Sequence, residues 1–507
     1  MTEKSIIIIG AGLSGLAAGC YAQMNGYQSQ IFEHHRVPGG VAACWKRKGY
    51  LIDGGIHFLM GHKPGTELYQ LYRQLGIVPA VSVVDMTTFG RFTDETSGRS
   101  VEVTRDLDRL AADWKAGSPA DAQIIDELIT GARSMQGLDL GAIGMGKPPE
   151  LMGVLDRIKE MWDMRNLLRY MTGRYAKPVS NYVQNIQDPW LQECIKSLFL
   201  PQVPVWFVCM ILGLLADGQI GFLTRGCPDF VQPMEKRYRE LGGRVTYRAA
   251  VEKILVKDNR AVGVRLADSS QHYAGVVASA ADGYSTIFGL LDGRYVDHKT
   301  RDRYANWELC RPLMMVSYGV AREFPADPPF ITFLLEHPLQ SAGQSVDKIF
   351  VRLFNYSPHF SPAGKTVVQV EFETDWDYWN DLRQEGRPGY NAQKERVAAE
   401  ILERLERHYP GISSQVQVTD EATPYTTWRY TRNHKGSWGG WMPTPQALNT
   451  RIKRTLPGLE NFYMAGQWIT PGGGVPPCLY SGRHVAQLLC HRDGKPFTTT
   501  LPKGLRN

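Results

Sequence analysis

In Ser5–Ile9 four successive isoleucines make an apolar, β-branched run that ends in Gly10-Ala11-Gly12-Leu13-Ser14-Gly15, and this junction constrains the fold more than any other feature of the chain. A run of this kind suits a strand buried on both faces. The glycines allow a tight turn into a helix, predicted over Leu13–Met24 and stopped by Asn25-Gly26. With 51 glycines in 507 residues, three glycines at this spacing arise by chance roughly 0.5 times per chain, so the context decides. That context is present. A second strand is predicted over Gln28–Phe32, and Glu33 follows it, 18 residues beyond Gly15, where a carboxylate accepts hydrogen bonds from a nucleotide ribose. Gly10, Gly12 and Gly15, with Leu13 and Ser14 between them, let the backbone approach a pyrophosphate, whose charge meets free N–H groups and the positive end of a helix. Glu33 favours a free ribose 2′-OH over a 2′-phosphate.

The far end of the chain says which dinucleotide this is. Tyr463-Met-Ala-Gly-Gln-Trp-Ile-Thr-Pro-Gly-Gly-Gly-Val475 is a second glycine cluster, more than 450 residues after the first. A long cofactor held from both sides is FAD rather than NAD. Pro38-Gly39-Gly40 and the turn containing Gly54-Gly55 are two further places where backbone can pass close to a flavin. Pro476-Pro477 then open a predicted helix running to about Cys490, because proline at a helix start needs no N–H partner. A helix start facing a flavin would stabilise negative charge arriving on the ring.

Length and charge bound the rest. A chain of 507 residues exceeds what one core usually supports, so two domains are expected. The 57 basic and 51 acidic residues leave a net charge of +6 without a concentrated basic run, which argues against nucleic acid and permits weak attraction to an anionic membrane surface. The eight cysteines, at 20, 44, 194, 209, 227, 310, 478 and 490, show no Cys-x-x-Cys and no histidine spacing suited to zinc. They read as reduced thiols of a cytoplasmic protein, with no metal site expected. No secretory signal precedes the first strand. The longest uncharged stretch, residues 197–216, is broken by Pro201 and Pro204. The helix that remains, from about 205 to 216, is roughly 18 Å long, short of the ~30 Å hydrocarbon layer. It is either a buried helix of the substrate domain or a monotopic patch, with Trp206 and Phe207 at its start, through which an oily substrate enters.

Further along, residues 106–115, 120–135 and 150–175 read as helices, and a helix is expected from about 230 to 241. Strands at 242–256, 261–266 and 273–278 suggest a small antiparallel meander. Strands follow at 313–320, 348–354 and 366–373, with one helix at 391–409. No Ser/His/Asp set or paired carboxylate site stands out, and Glu371, Glu373, Asp375 and Asp377 alternate as a solvated face would. Trp428, Tyr430, Trp438 and Trp441 combine aromatic rings with glycine-rich backbone just before the closing segment, which suits the walls of a narrow apolar channel. His57, Arg432 and His434 are the polar candidates for acid or base work there.

Together these segments resemble the phytoene desaturase family of FAD-dependent oxidoreductases, in the branch that includes carotenoid isomerases and retinol saturase-like proteins. The likeness runs from Ile6-Ile-Ile-Ile-Gly-Ala-Gly-Leu-Ser-Gly-Leu16 through Pro38-Gly-Gly40, Gly242-Gly-Arg-Val245 and Ser279-Ala-Ala-Asp282 to Ser481-Gly482. It implies an α/β fold in which a Rossmann-like FAD-binding domain of glutathione-reductase type (1–85, 220–285 and 450–507) is interleaved with an α+β substrate domain carrying a helical subdomain (86–219 and 286–449). It further implies that Val251 presents backbone to the adenine, that Gly466 and Gln467 lie near the pyrophosphate and ribityl chain, and that Gly473, Gly474 and Val475 lie near the isoalloxazine. Two positions depart from the family pattern, Gly275 and Trp438, and the second bears on substrate choice. The implied activity is desaturation, by hydride transfer to flavin N5, or saturation of a long apolar polyene or isoprenoid, with an external electron acceptor or donor. Redox-neutral cis/trans isomerisation, amine oxidation, and lipid carriage without catalysis, as in GDP dissociation inhibitors, are the alternatives.

Overall fold

The computed structural model describes residues 4–139, 141, 146–163 and 172–505. Its organising element is a five-stranded parallel sheet in the order Arg244–Thr246, Gln28–Phe32, Ser5–Ile9, Val276–Ser279, Phe462–Met464. Ile6, Ile7, Ile8 and Ile9 are all buried, as a strand covered on both faces requires. The strand at 462–464 completes the sheet beside 276–279, so both ends of the chain lie in one layer.

Two helices pack on one face of this sheet, Leu13–Met24 and Val475–Arg492. Their close crossing depends on Gly482, where a Cβ would stand 2.4 Å from the Ser14 carbonyl oxygen and 2.6 Å from the Ala18 nitrogen. The first helix also lies tight on its own turn: a Cβ on Gly15 would stand 1.9 Å from the Gly10 oxygen. Beyond the second helix the tail returns to the first, with Thr498 exchanging hydrogen bonds with Asn25.

The meander differs from expectation at its first and third strands: the run at 242–256 divides into Arg244–Thr246, in the parallel sheet, and Val251–Lys257, because residues 247–250 leave the extended conformation. Val251–Lys257, Arg260–Leu266 and the short Gln271–Tyr273 form it, whereas Val276–Ser279 belongs to the parallel sheet. Gly275 divides the two, its N–H bonded to Ser5 Oγ at 3.0 Å, so one apolar run serves two sheets.

A second layer is a seven-stranded sheet in the order Val416–Ala422, Leu313–Val320, Thr366–Glu373, Gln344–Leu353, Phe330–Ser341, Thr88–Asp94, Ser100–Thr104. It is antiparallel except where 330–341 runs parallel to 88–94. The expected helix at 391–409 is Arg387–His408 and covers one face. Helices Leu107–Gly117, Ala122–Ser134, Pro189–Lys196 and Val205–Ala216 form a separate apolar core with Phe92, Phe222 and Phe330. The stretch expected as one helix over 150–175 is instead a helical turn at Pro149–Leu151, a helix at Val154–Asp163 and a turn at Gly173–Ala176, and 164–171 lie outside the described residues.

Helix Val205–Ala216 is buried along most of its length, with Trp206 and Phe207 only partly covered. Among the described residues no helix is long and apolar enough to cross a membrane.

Candidate functional site

The two glycine clusters open into one cavity of about 2640 Å³, more than twice the ~1,000 Å³ upper range for pockets that hold one drug-sized ligand. Gly10, Gly12, Leu13, Ser14, Glu33, Gly39, Gly40, Gly55, Val251, Gly466, Gln467, Gly473, Gly474 and Val475 all line it. Gly15 does not; it sits behind the wall, where the helix meets the turn.

What this end offers is backbone. Helices Leu13–Met24 and Val475–Arg492 both begin at a glycine, without a side-chain cap and without an acidic residue in the first turn. The first N–H groups of a helix have no intrahelical partner, and the positive end of the dipole adds to them. Two such ends on one cavity suit an anionic, elongated ligand. His34 Nε2 and Thr470 Oγ1, buried atoms of cavity-lining residues, have no hydrogen-bond partner among the described residues, a further mark of a polar ligand's place.

Glu33 is 6% exposed. Its Oε2 accepts from the Ala11 N–H at 2.7 Å, and Oε1 accepts from the His35 N–H at 2.8 Å and faces His34 Nδ1 at 2.9 Å. Burial alone would raise its carboxyl; the bonds from His34, Ala11 and His35 outweigh that and hold it below the ordinary value. The carboxylate therefore fixes the Gly10–Gly12 turn and keeps lone pairs for a ligand hydroxyl.

The opposite end is made of side chains. Phe58, Phe89, Phe199, Trp206, Phe207, Met210, Phe330 and Phe350 line it, with ring centroids 5.0 Å apart for Phe199 and Phe207 and 5.0 Å for Phe330 and Phe350. The sequence marks Trp206 and Phe207 only as a membrane patch, and Phe58, Phe89, Phe199, Phe330 and Phe350 carry no sequence signal, since they come from separate elements and share no motif.

His57 enters this end beside Phe350 and Phe330, at 6.0 and 6.4 Å between centroids. Its Nε2 is 2.8 Å from Glu371 Oε2 and its Nδ1 is 2.9 Å from the Gly55 oxygen. Both neighbours are acceptors, so a ring carrying protons on both nitrogens satisfies both. Glu371 corrects the expected solvated face: it is 3% exposed. Its Oε1 accepts from Arg352 Nη1 at 3.1 Å, and Arg352 also donates to Gln369 Oε1 at 2.8 Å and to the Asp53 carbonyl oxygen at 3.1 Å. Burial works to raise the Glu371 carboxyl, but His57 and Arg352 bring it down to about 2.

The other expected residues divide. Trp428, Tyr430, Arg432 and Trp438 line the cavity. Arg432 lies over the Trp428 ring at 4.5 Å, and Tyr430 packs against His35 at 5.3 Å, beside the Glu33 end. Trp438 precedes Gly439, whose carbonyl oxygen approaches Gly473. Trp441, expected in the wall, stands behind it: it is 1% exposed, its indole N–H donates to the Trp468 oxygen at 3.0 Å, and it does not line the cavity. His434 is likewise outside the lining, stacked on Tyr284 at 4.0 Å, and burial with nearby Lys435 pushes its imidazole down to about 4. Its backbone N–H donates at 2.8 Å to Asp282, a cavity-lining carboxyl that burial pushes up to about 6. Spacing predicted no metal set, yet Cys44 and Asp53, opposite each other on the hairpin of Cys44–Arg47 and Tyr50–Asp53, come together with Cys227 at the start of a distant helix.

The cavity thus joins two uncapped helix starts to a group of aromatic side chains. The model of flavin-containing amine oxidoreductases matches residues 13–490, and the chain belongs to that family. It is 25% identical over 493 residues to a chloroplastic prolycopene isomerase of Arabidopsis thaliana, covering 94% of this chain and 81% of that protein. It is 24% identical over 520 residues to a lycopene-forming phytoene desaturase of Pseudescherichia vulneris, covering 96% and 99%. Among solved structures, an oxidoreductase from Methanosarcina mazei superposes with a TM-score of 0.60 at 16% identity, covering 95% of this chain and all of that one. That likeness concerns the α/β fold.

Proposed function

We propose that this chain binds FAD and acts on C–C or C=C bonds of a long apolar polyene or isoprenoid. The observation that carries this reading is the single cavity continuous from the two uncapped helix starts to the phenylalanine chamber. The names of the curated relatives, an isomerase and a desaturase of carotenoids, point the same way.

The residues fit the cofactor. Gly10, Gly12, Leu13 and Ser14 would hold its pyrophosphate, Glu33 its ribose and Val251 its adenine. Gly466 and Gln467 would lie along the linker, and Gly473, Gly474 and Val475 at the ring. Bound there, FAD would supply hydride exchange with a C–C unit of the substrate. The chain's own groups do the rest. The start of helix Val475–Arg492 would stabilise negative charge on the bound ring. His57, oriented by Glu371 and the Gly55 oxygen, holds a proton at the chamber wall. The phenylalanines exclude water, and Trp438 shapes the passage. An external acceptor or donor would complete a redox cycle. Redox-neutral cis/trans isomerisation is the second reading, favoured by the prolycopene isomerases, which align with 94% of this chain.

A peripheral membrane contact belongs to this proposal, relocated from Trp206 and Phe207. Helix Val154–Asp163 carries Val154, Leu155, Ile158 and Trp162 at 74, 82, 55 and 66% exposure, an apolar stripe at helical spacing. It follows closely on Pro149, which lines the cavity.

Anaerobic mixing of the flavin-loaded protein with carotenoids, retinoids, unsaturated fatty acids and amines tests the reading. Flavin bleaching with loss of two hydrogens from a polyene establishes desaturation; unchanged product mass with altered double-bond geometry establishes isomerisation. Bleaching by amines alone overturns the substrate class. Protein that takes up no FAD overturns the whole reading and restores the carrier.

A further inference from the structure

We propose that Cys44, Asp53 and Cys227 form a binding site for one thiophilic divalent cation, with zinc as the best-suited ion. The three ligand atoms lie within 4.8 Å of one another. A tetrahedral zinc ion with metal–sulfur bonds of about 2.3 Å places its ligand atoms roughly 3.4–3.8 Å apart, so small side-chain adjustments close the set. Cys227 Sγ is already 3.1 Å from Asp53 Oδ1.

Three backbone N–H groups converge on the donors. Ile56 N–H donates to Cys227 Sγ at 3.1 Å, Gly55 N–H to Asp53 Oδ1 at 2.9 Å and Cys227 N–H to Asp53 Oδ2 at 3.0 Å. Bonds of this kind orient metal ligands and stabilise their anionic forms. Room around the set depends on glycine: a Cβ on Gly226 would stand 2.5 Å from Asp53 Oδ2 and 3.0 Å from Cys44 Sγ, and one on Gly55 would stand 2.4 Å from Cys227 Sγ. Asp53 and Cys227 are buried, whereas Cys44 is partly exposed and lines the large cavity. Cys44 thus gives the ion an entry path from the cavity.

Charge balances. The ion joins two thiols and one carboxylate, forms two metal–sulfur bonds and one metal–oxygen bond, and releases two protons. The set carries one negative charge before and after, so the buried Arg352 guanidinium, which donates to the Asp53 carbonyl oxygen, meets an unchanged partner. Nothing in this site depends on FAD or on the polyene reading.

The test uses the full chain as purified, reduced and metal-stripped. Zinc is titrated and counted by elemental analysis after dialysis, proton release is followed in weak buffer, and cadmium serves as a second probe through its thiolate absorption. One ion per chain and two protons released are expected. Cys44→Ser, at the partly exposed position, weakens binding more than about 10-fold, since loss of an outer partner alone costs 10–100-fold. Cys310→Ser, at a buried cysteine outside the group, leaves binding unchanged. Circular dichroism confirms that each variant is folded. No ion retained by the parent protein, or equal affinity in Cys44→Ser, overturns the site.

Discussion

The glycine-lined end of the cavity is built from backbone, and the phenylalanine-lined end from side chains that arrive from many elements. At the first, two helix starts and a buried carboxylate converge because short segments fix their own geometry. At the second, Phe58, Phe89, Phe330 and Phe350 meet over His57, and behind them Arg352, Gln369 and Glu371 form a buried polar group. The difference teaches that the two ends should fail differently: one through space and N–H groups, the other through charge left without a partner.

The largest effect is expected at the side-chain end. Glu371→Ala leaves Arg352 buried without its carboxylate and should cost about 3–5 kcal/mol in denaturant unfolding. The pH dependence follows from the sign of the shift. The Glu371 carboxyl is lowered from 4.5 to about 2 in the fold, so its contribution is fully present above the ordinary value and is lost as pH falls through the lowered one. The stability gap between parent and Glu371→Gln should therefore narrow from about pH 4.5 towards pH 2. A gap independent of pH across that window would remove the ion pair from the account.

At the backbone end, Gly15→Ala places a Cβ 1.9 Å from the Gly10 oxygen and should cost about 3 kcal/mol, the upper part of the overpacking range, with loss of bound flavin. Flavin retained at parental melting temperature would show that this turn is looser than described. Trp438→Ala should change turnover or substrate range by roughly 10-fold, about 1.4 kcal/mol in the barrier, at normal flavin content; identical kinetics would take Trp438 out of the passage. The smallest effect belongs to the surface. Leu155→Glu with Trp162→Glu should reduce liposome flotation without changing stability beyond about 0.5 kcal/mol, and flotation that responds instead to polar substitutions at Trp206 and Phe207 would return the contact to that helix.

The same contrast explains what could be read from the sequence. Strands Ser5–Ile9, Gln28–Phe32, Leu313–Val320 and Thr366–Glu373 and helices Leu13–Met24 and Val205–Ala216 stand where the pattern places them, because local periodicity and glycine stops determine them. Gly12 and Glu33 were legible for the same reason. Glu371 was not: alternation along a strand shows that a residue faces one side, and only the fold shows that this side meets Arg352 and His57 rather than water. Trp441 misled because a tryptophan beside glycines looks alike in a wall and behind one. The strand at 276–279 was merged with its neighbour since nothing local distinguishes a turn at Gly275 from a bulge.

The central claim is that one dinucleotide is gripped by both ends of the chain, and Gly12 and Gly474 offer the most direct access to it. A Cβ on Gly12 meets nothing nearer than the Gly39 oxygen at 4.0 Å, and one on Gly474 meets open space, although Gly474 sits at φ 80°, where any L side chain strains the backbone; circular dichroism and melting temperature therefore accompany each variant. The decisive measurement is FAD bound per chain, at a fixed excess of FAD, for the parent, Gly12→Ala and Gly474→Ala. The account predicts full occupancy in the parent and a loss of at least about 10-fold in affinity in both variants, roughly 1.4 kcal/mol each. Undiminished occupancy in either variant, or none in the parent, would contradict it.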